Sequence, residues 1–148
     1  MYPNGALFAY NKGMDRFEIP PGRFDLAAAV DDDIRRMAAA PPRIGDRAHP
    51  ICAFAGALGG LGLKIADLSA ALGLAFDRGP VLARCRLDFD APLRTGCIYD
   101  VTAEVETLER KPSRSFGAAD HLHLAIRLSD AHPRSLTRLH IIYPAEPA

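Results

Sequence analysis

The sequence predicts an α+β domain in which a curved antiparallel sheet wraps one apolar helix. Three observations carry this prediction. Residues 50–74, "PICAFAGALGGLGLKIADLSAALGL", form a long apolar stretch whose only charges are Lys64 and Asp67, which suits a helix buried on nearly all sides. After Gly79 the pattern changes period: four segments alternate apolar and polar residues, as a sheet covered on one face does. At 148 residues the chain suits one domain better than two.

The elements follow in order. "MYPNGALFAYNKG" mixes aromatics with Pro, Asn and Gly, and predicts an irregular arm or an edge strand. "RFEIPPGRF" extends the arm over 1–24, broken by Pro20, Pro21 and Gly22. "DLAAAVDDDIRRMAAA" predicts a helix with Asp25 as N-cap, ended at Ala40 because Pro41 and Pro42 cannot continue it. Asp31, Asp32 and Asp33 precede Arg35 and Arg36, so they read as a charged helix face with favourable pairs rather than as a divalent-ion site. "PPRIGDRAHP" is a loop. In the apolar stretch Gly56, Gly59, Gly60 and Gly62 predict either close approach by other backbone or a break in its first half. Its second half is the more regular, with Gly73 near the C-terminus. The uncharged part ends at Leu63, short of the about 20 residues a membrane span needs.

The strands are read by alternation. In "PVLARCRLDF", Val81, Ala83, Cys85, Leu87 and Phe89 face one way. Tyr99, Val101, Ala103 and Val105 oppose Asp100, Thr102, Glu104 and Glu106, and the register shifts at Thr107 and Leu108 as at a bulge. Leu122, Leu124, Ile126 and Leu128 alternate with His121, His123 and Arg127; Thr137, Leu139, Ile141 and Tyr143 alternate with Arg138 and His140. One buried helix followed by successive antiparallel strands is the hotdog arrangement, predicted here as a single domain over 1–148 with its strands in 79–144.

Acidic and basic residues balance at 18 each, so no global field points to nucleic acid or to a membrane surface. Cys52, Cys85 and Cys97 lack metal or redox spacing and read as buried thiols. The first residues lack the pattern of a secretion signal, which makes the cytoplasm the expected location. No GxGxxG, P-loop or GxSxG occurs. His121 and His123 share a strand face at a spacing that can suit a metal, but no third ligand has an evident place; no metal is expected. His132 falls in a hairpin turn, and His140 could point toward a partner chain.

Laid out this way, the C-terminal two-thirds resembles the MaoC-like (R)-specific enoyl-CoA hydratase and 3-hydroxyacyl dehydratase family. The pieces that carry the likeness are "AHPICAFAGALGG", "LDFDAPLRTGCIYDVTAEV" with its Pro-Leu-Arg-x-Gly turn, and "HLHLAIRLSD". The resemblance implies a hotdog homodimer, or a heteromer with a second hotdog subunit. It implies acyl thioesters of coenzyme A or acyl carrier protein as substrates, with no other cofactor. Catalytic members carry Asp-x-Asn-Pro-x-His, whose Asp and His flank one water, while the thioester oxygen meets a backbone N–H at the helix start. The nearest match is "GDRAHP", which makes Asp46 and His49 the candidate dyad, three apart rather than five and without Asn-Pro. The resemblance puts substrate binding at Ile51 and Gly56. It also brings Arg110, Lys111 and Arg114 near a phosphate-bearing cofactor tail; the alternative for these three is a solvated loop. With so degenerate a motif three functions stay open: a hydratase or dehydratase using Asp46 and His49, a catalytically inactive hotdog partner subunit of a heteromeric dehydratase, or an acyl-CoA thioesterase in which Asp46 or Asp67 activates water.

Overall fold

The computed structural model describes residues 17–145; most of the expected N-terminal arm therefore lies outside the described residues. From residue 22 the elements run β1 (Gly22–Leu26), α1 (Ala28–Met37), α2 (Cys52–Gly59), α3 (Ile65–Ala71), a 3-10 turn (Phe76–Arg78), β2 (Val81–Phe89), β3 (Cys97–Ser113), β4 (Gly117–Ser129) and β5 (Pro133–Ala145). The strands form one sheet in the order β1-β3-β4-β5-β2, with every neighbouring pair antiparallel. This is the hotdog fold.

The alternation of β3, β4 and β5 is realised as read. Tyr99, Val101, Leu108, Leu122, Leu124, Ile126, Leu128, Leu139, Ile141 and Tyr143 are buried on one sheet face. Each such side chain contributes about 1.5–3 kcal/mol by leaving water. The bulge in β3 is real: pairing with β4 jumps between Val105 and Thr107, so Glu106 is the extra residue and Leu108 returns to the core opposite Leu122.

β2 departs from the prediction. Its register with β5 shifts between Leu82 and Arg84, placing Leu82 opposite Ile141 and Cys85 opposite Leu139, while Val81 pairs with Ile142. Ala83 is thus a bulge, and Leu82 replaces Val81 on the core side. Among the described residues β2 is also an edge strand that the helices leave bare: Val81, Leu82, Cys85 and Phe89 are all exposed. Of the three cysteines only Cys52 is buried.

Two corrections concern the helices. Asp25 lies in β1 opposite Ile98, and the N-cap of α1 is Ala27, which makes no side-chain cap. The apolar stretch is not one helix over 50–74 but α2 and α3, interrupted at Gly60–Lys64. The glycines explain the break. A Cβ on Gly62 would sit 1.9 Å from the Pro20 carbonyl oxygen, and one on Gly22 would sit 2.0 Å from that of Gly60. The chain entering β1 crosses the end of α2 with backbone against backbone, which only glycine permits. Both expectations for this stretch, close approach and a break, hold together.

α2 packs its Cys52–Ala53–Gly56–Ala57 face against β1, β4 and β5. α3 is tied to the same sheet by a 2.7 Å hydrogen bond between the Ser69 and Tyr143 hydroxyls. No helix among the described residues is long and apolar enough to cross a membrane.

Candidate functional site

The Pro92-Leu93-Arg94-Thr95-Gly96 turn does more than start β3. It clasps the loop that leads into α2. The Ala48 N–H donates to the Leu93 carbonyl, the Thr95 N–H to the Asp46 carbonyl, and the Gly96 N–H to the Leu26 carbonyl at the end of β1. The Arg94 N–H donates to the Tyr99 hydroxyl at 2.8 Å, and Gly96 has φ 80°, a conformation glycine adopts without strain. Leu93 is buried beneath the turn.

A second anchor comes from α1. Asp31 is fully buried and accepts from Arg35 Nε at 2.8 Å, Arg43 Nη1 at 3.0 Å, the His49 N–H at 2.6 Å and Cys52 Sγ at 3.4 Å. Burial alone would raise its pKa; the hydrogen bonds from His49, Arg35, Arg43 and Cys52 outweigh that and hold it at about 2. The Cys52 thiol shares the site and is pushed up to about 12, by burial and then by the Asp31 hydrogen bond and charge. It is therefore neutral and inert near pH 7. Asp31 was read as one member of a charged helix face; in the fold it is a buried hub. Only Asp33, paired with Arg36, and Asp32, paired with Arg43, remain on the surface.

Between these anchors lies a cleft of about 230 Å³, lined by Arg47, Ala48, His49, Pro50, Phe89, Asp90, Ala91, Pro92 and Leu93. The start of α2 forms one wall and the end of β2 the other. His49 Nδ1 accepts the Ile51 N–H at 3.1 Å, so the neutral ring carries its proton on Nε2. The Cys52 and Ala53 N–H groups donate to the His49 and Pro50 carbonyls. Three amides at the helix start, where a thioester oxygen was expected to be met, are thus satisfied within the loop, that of Ile51 among them.

The remaining expected residues disperse. The Asp46 carboxylate pairs with Arg94 on the surface; no hydrogen bond joins it to His49 among the described residues. Gly56 is packed in the core, where an added Cβ would meet the Phe24 ring at 2.4 Å and Leu128 at 2.9 Å. Arg110 grips Asp120 with both guanidinium arms at 2.7 and 3.0 Å. Lys111 pairs with Glu109, and Arg114 is exposed at the β3–β4 turn. Arg110 and Lys111 lie near the far end of the 17-residue β3, and Arg114 just beyond it, on the order of 40 Å of strand from the turn that begins it, so one chain does not bring them to His49. Asp67 is exposed in the first turn of α3. The residue that sequence reading missed is Asp90, the carboxylate that lines the cleft with His49. Its signal was its place in "DFDAPLR" immediately before the clasping turn.

Fold and cleft together define a hotdog protein with a small pocket at the start of its central helix. No family model matches the chain, and no curated protein sequence does. Solved structures do. The chain is similar to one in the ChsH1-ChsH2 complex from Mycobacterium tuberculosis, with 16% identity, TM-score 0.64, and coverage of 95% of this chain and 92% of that one. It is similar to one in the HadBC (3R-hydroxyacyl-ACP dehydratase) complex from the same organism, with 12% identity, TM-score 0.57, and coverage of 84% and 93%. A monoamine oxidase regulatory protein from Archaeoglobus also resembles it, with 11% identity, TM-score 0.59, and coverage of 90% and 95%. At these identities the likeness establishes the fold.

Proposed function

We propose that this chain is the non-catalytic half of a heteromeric, MaoC-like hydratase or dehydratase acting on acyl thioesters. The observation that carries this is the state of the Asp46–His49 region. Hydration of an enoyl thioester needs an oriented water and a donor for the developing oxyanion. Here Asp46 faces Arg94, His49 Nδ1 is held by the Ile51 N–H, and the next two amides are internally bonded. β2 supports the pairing side of the proposal: among the described residues it is a nine-residue edge with Val81, Leu82 and Phe89 exposed, the kind of edge that a second sheet covers. Two of the similar structures are themselves complexes of two differently named components.

A second reading keeps one specific support. His49 and Asp90 line the same cleft, and an imidazole with a carboxylate is sufficient acid–base equipment for water addition. One experiment separates the readings. The purified chain is given crotonyl-CoA and longer enoyl-CoA substrates, and loss of the conjugated thioester absorbance is followed, alone and after addition of a catalytic hotdog subunit that binds it. The proposal expects no turnover alone and turnover in the mixture that survives His49→Ala in this chain. Turnover by the chain alone, abolished by His49→Ala or Asp90→Asn, overturns it in favour of the second reading.

A further inference from the structure

The sheet face turned away from α2 carries a cluster that the proposed function does not use. Cross-strand pairing places Thr107, His123, His140 and Arg84 in one row across β3, β4, β5 and β2. The His123 and His140 rings stack, with centroids 4.2 Å apart and planes at 14°. His121 reaches His140 from the diagonal position, Nδ1 to Nε2 at 2.9 Å. In the next row Arg138 lies directly opposite Arg86. Around these groups is a cleft of about 280 Å³, lined by Arg84, Arg86, Arg138, His123, His140 and one carboxylate, Glu106, among others.

A solvated sheet face normally sets opposite charges across from one another, because like charges directly opposed are destabilising. This face does the reverse at its centre. Arg86 opposes Arg138, and Arg84 opposes His140, with no carboxylate in ion-pair contact with Arg84 among the described residues. The acids nearby are each engaged by a basic partner: Glu106, inside the cleft, by Arg138, Asp88 by Arg86, and Glu109 by Lys111. Asp120 belongs to the core side, paired with Arg110. We propose that the cleft is a binding site for phosphate-type oxyanions, coupled to protonation of the hydrogen-bonded His121–His140 pair. The planar guanidinium fork of Arg84 matches phosphate oxygens. Arg86 and Arg138 stand beside it and would exchange Asp88 and Glu106 for the anion, and His140 supplies a further N–H donor once protonated.

The coupling has a geometric basis. The 2.9 Å contact between His121 and His140 requires one of the two facing nitrogens to be unprotonated, since two N–H groups cannot point at each other. Adding a second proton breaks that contact and turns a donor toward whatever anion is present. Without an anion His140 and His121 resist protonation. His140 is held below the usual histidine range by burial and then by His123, His121, Arg84 and Lys111. His121 is held down by burial, Lys111 and His123, against the opposing pull of Glu109 and Asp120. A bound oxyanion reverses the balance, so binding takes up protons and strengthens as pH falls.

The test is isothermal titration of the whole chain with inorganic pyrophosphate between pH 8 and pH 6, with coenzyme A in a parallel arm. Pyrophosphate binding is expected to tighten by up to about tenfold per pH unit for each proton taken up. Arg84→Ala and Arg138→Ala are expected to weaken it at least about tenfold each, as for loss of a charge-assisted pair. His140→Gln flattens the pH dependence, and circular dichroism checks that each variant folds. Coenzyme A binding more tightly than pyrophosphate, with the same Arg84 dependence, identifies the carrier's phosphates as the source; equal or weaker binding identifies free oxyanions. Absence of pyrophosphate binding at pH 6, or binding unchanged in the Arg84→Ala/Arg138→Ala double variant, overturns the proposal. The site lies on the opposite sheet face from His49, so this outcome is independent of the enoyl thioester assay.

Discussion

Replacing Asp31 by asparagine tests how the loop before α2 is held. The carboxylate is buried and accepts four hydrogen bonds, two of them from guanidinium groups. Its pKa falls from an ordinary 3.8 to about 2. A depression of that size corresponds to about 2–3 kcal/mol of folding free energy. Because the folded-state pKa is the lower one, this contribution is fully present above pH 4 or so. It is lost as pH falls through the interval between the unfolded and folded values. Asparagine keeps the shape, and its carbonyl can still accept the His49 N–H, but it carries no charge for Arg35 and Arg43. Those arginines retain other partners, Pro41 and Arg47 carbonyls for the first and Asp32 and Gly45 for the second. The loss should therefore match the linkage value rather than the larger cost of stranding a buried charge. Urea denaturation at pH 7 is expected to show a decrease of about 2–3 kcal/mol. Repeated down to pH 2, the difference between the two proteins should shrink toward zero as Asp31 in the wild type protonates. Equal stabilities at pH 7, or a difference that persists undiminished at pH 2, would refute the hub.

The other predictions concern packing. Gly62→Ala drives a Cβ to 1.9 Å from the Pro20 carbonyl and is expected to cost about 2–3 kcal/mol, at the upper end for overpacking. Gly59→Ala, where nothing lies within 4 Å of the added carbon, is expected to be neutral or to gain up to about 1 kcal/mol from helix propensity. Thermal denaturation of the pair separates close approach from helix breaking as the reason for the glycines. Thr137→Val removes a buried hydroxyl that has no hydrogen-bond partner among the described residues and keeps the side-chain shape, so the melting temperature is expected to rise, by the equivalent of about 1 kcal/mol.

The strands were legible because their physics is local. In β3, β4 and β5 every second residue is apolar, and that period alone assigns Tyr99, Leu124 and Ile141 to one face. Even the bulge at Glu106 left a mark, as the step from Val105 to Leu108. The glycines around residue 60 likewise announced a constraint on backbone contact. β2 was misread at Val81 and Leu82 because its bulge at Ala83 falls where small and apolar residues suit either face. That no strand among the described residues flanks its outer edge cannot be seen in its own pattern.

The sequence by itself determined the class of fold, four of the five strands of the sheet and the presence of one apolar helix region, since periodicity and glycine placement act over a few residues. β1, too short and too irregular to show a period, was not among those strands. Tertiary structure decided the chemistry. Asp31 becomes a hub only because α1 folds back onto the loop 43–52. Asp46 turns to Arg94, 48 residues away in sequence, because the clasping turn brings them together. The histidines of β4 meet His140, and Arg84 joins their row, only through strand pairing. Charge and hydrogen bonding depend on who stands within a few ångströms, and for these residues the neighbours come from distant parts of the chain.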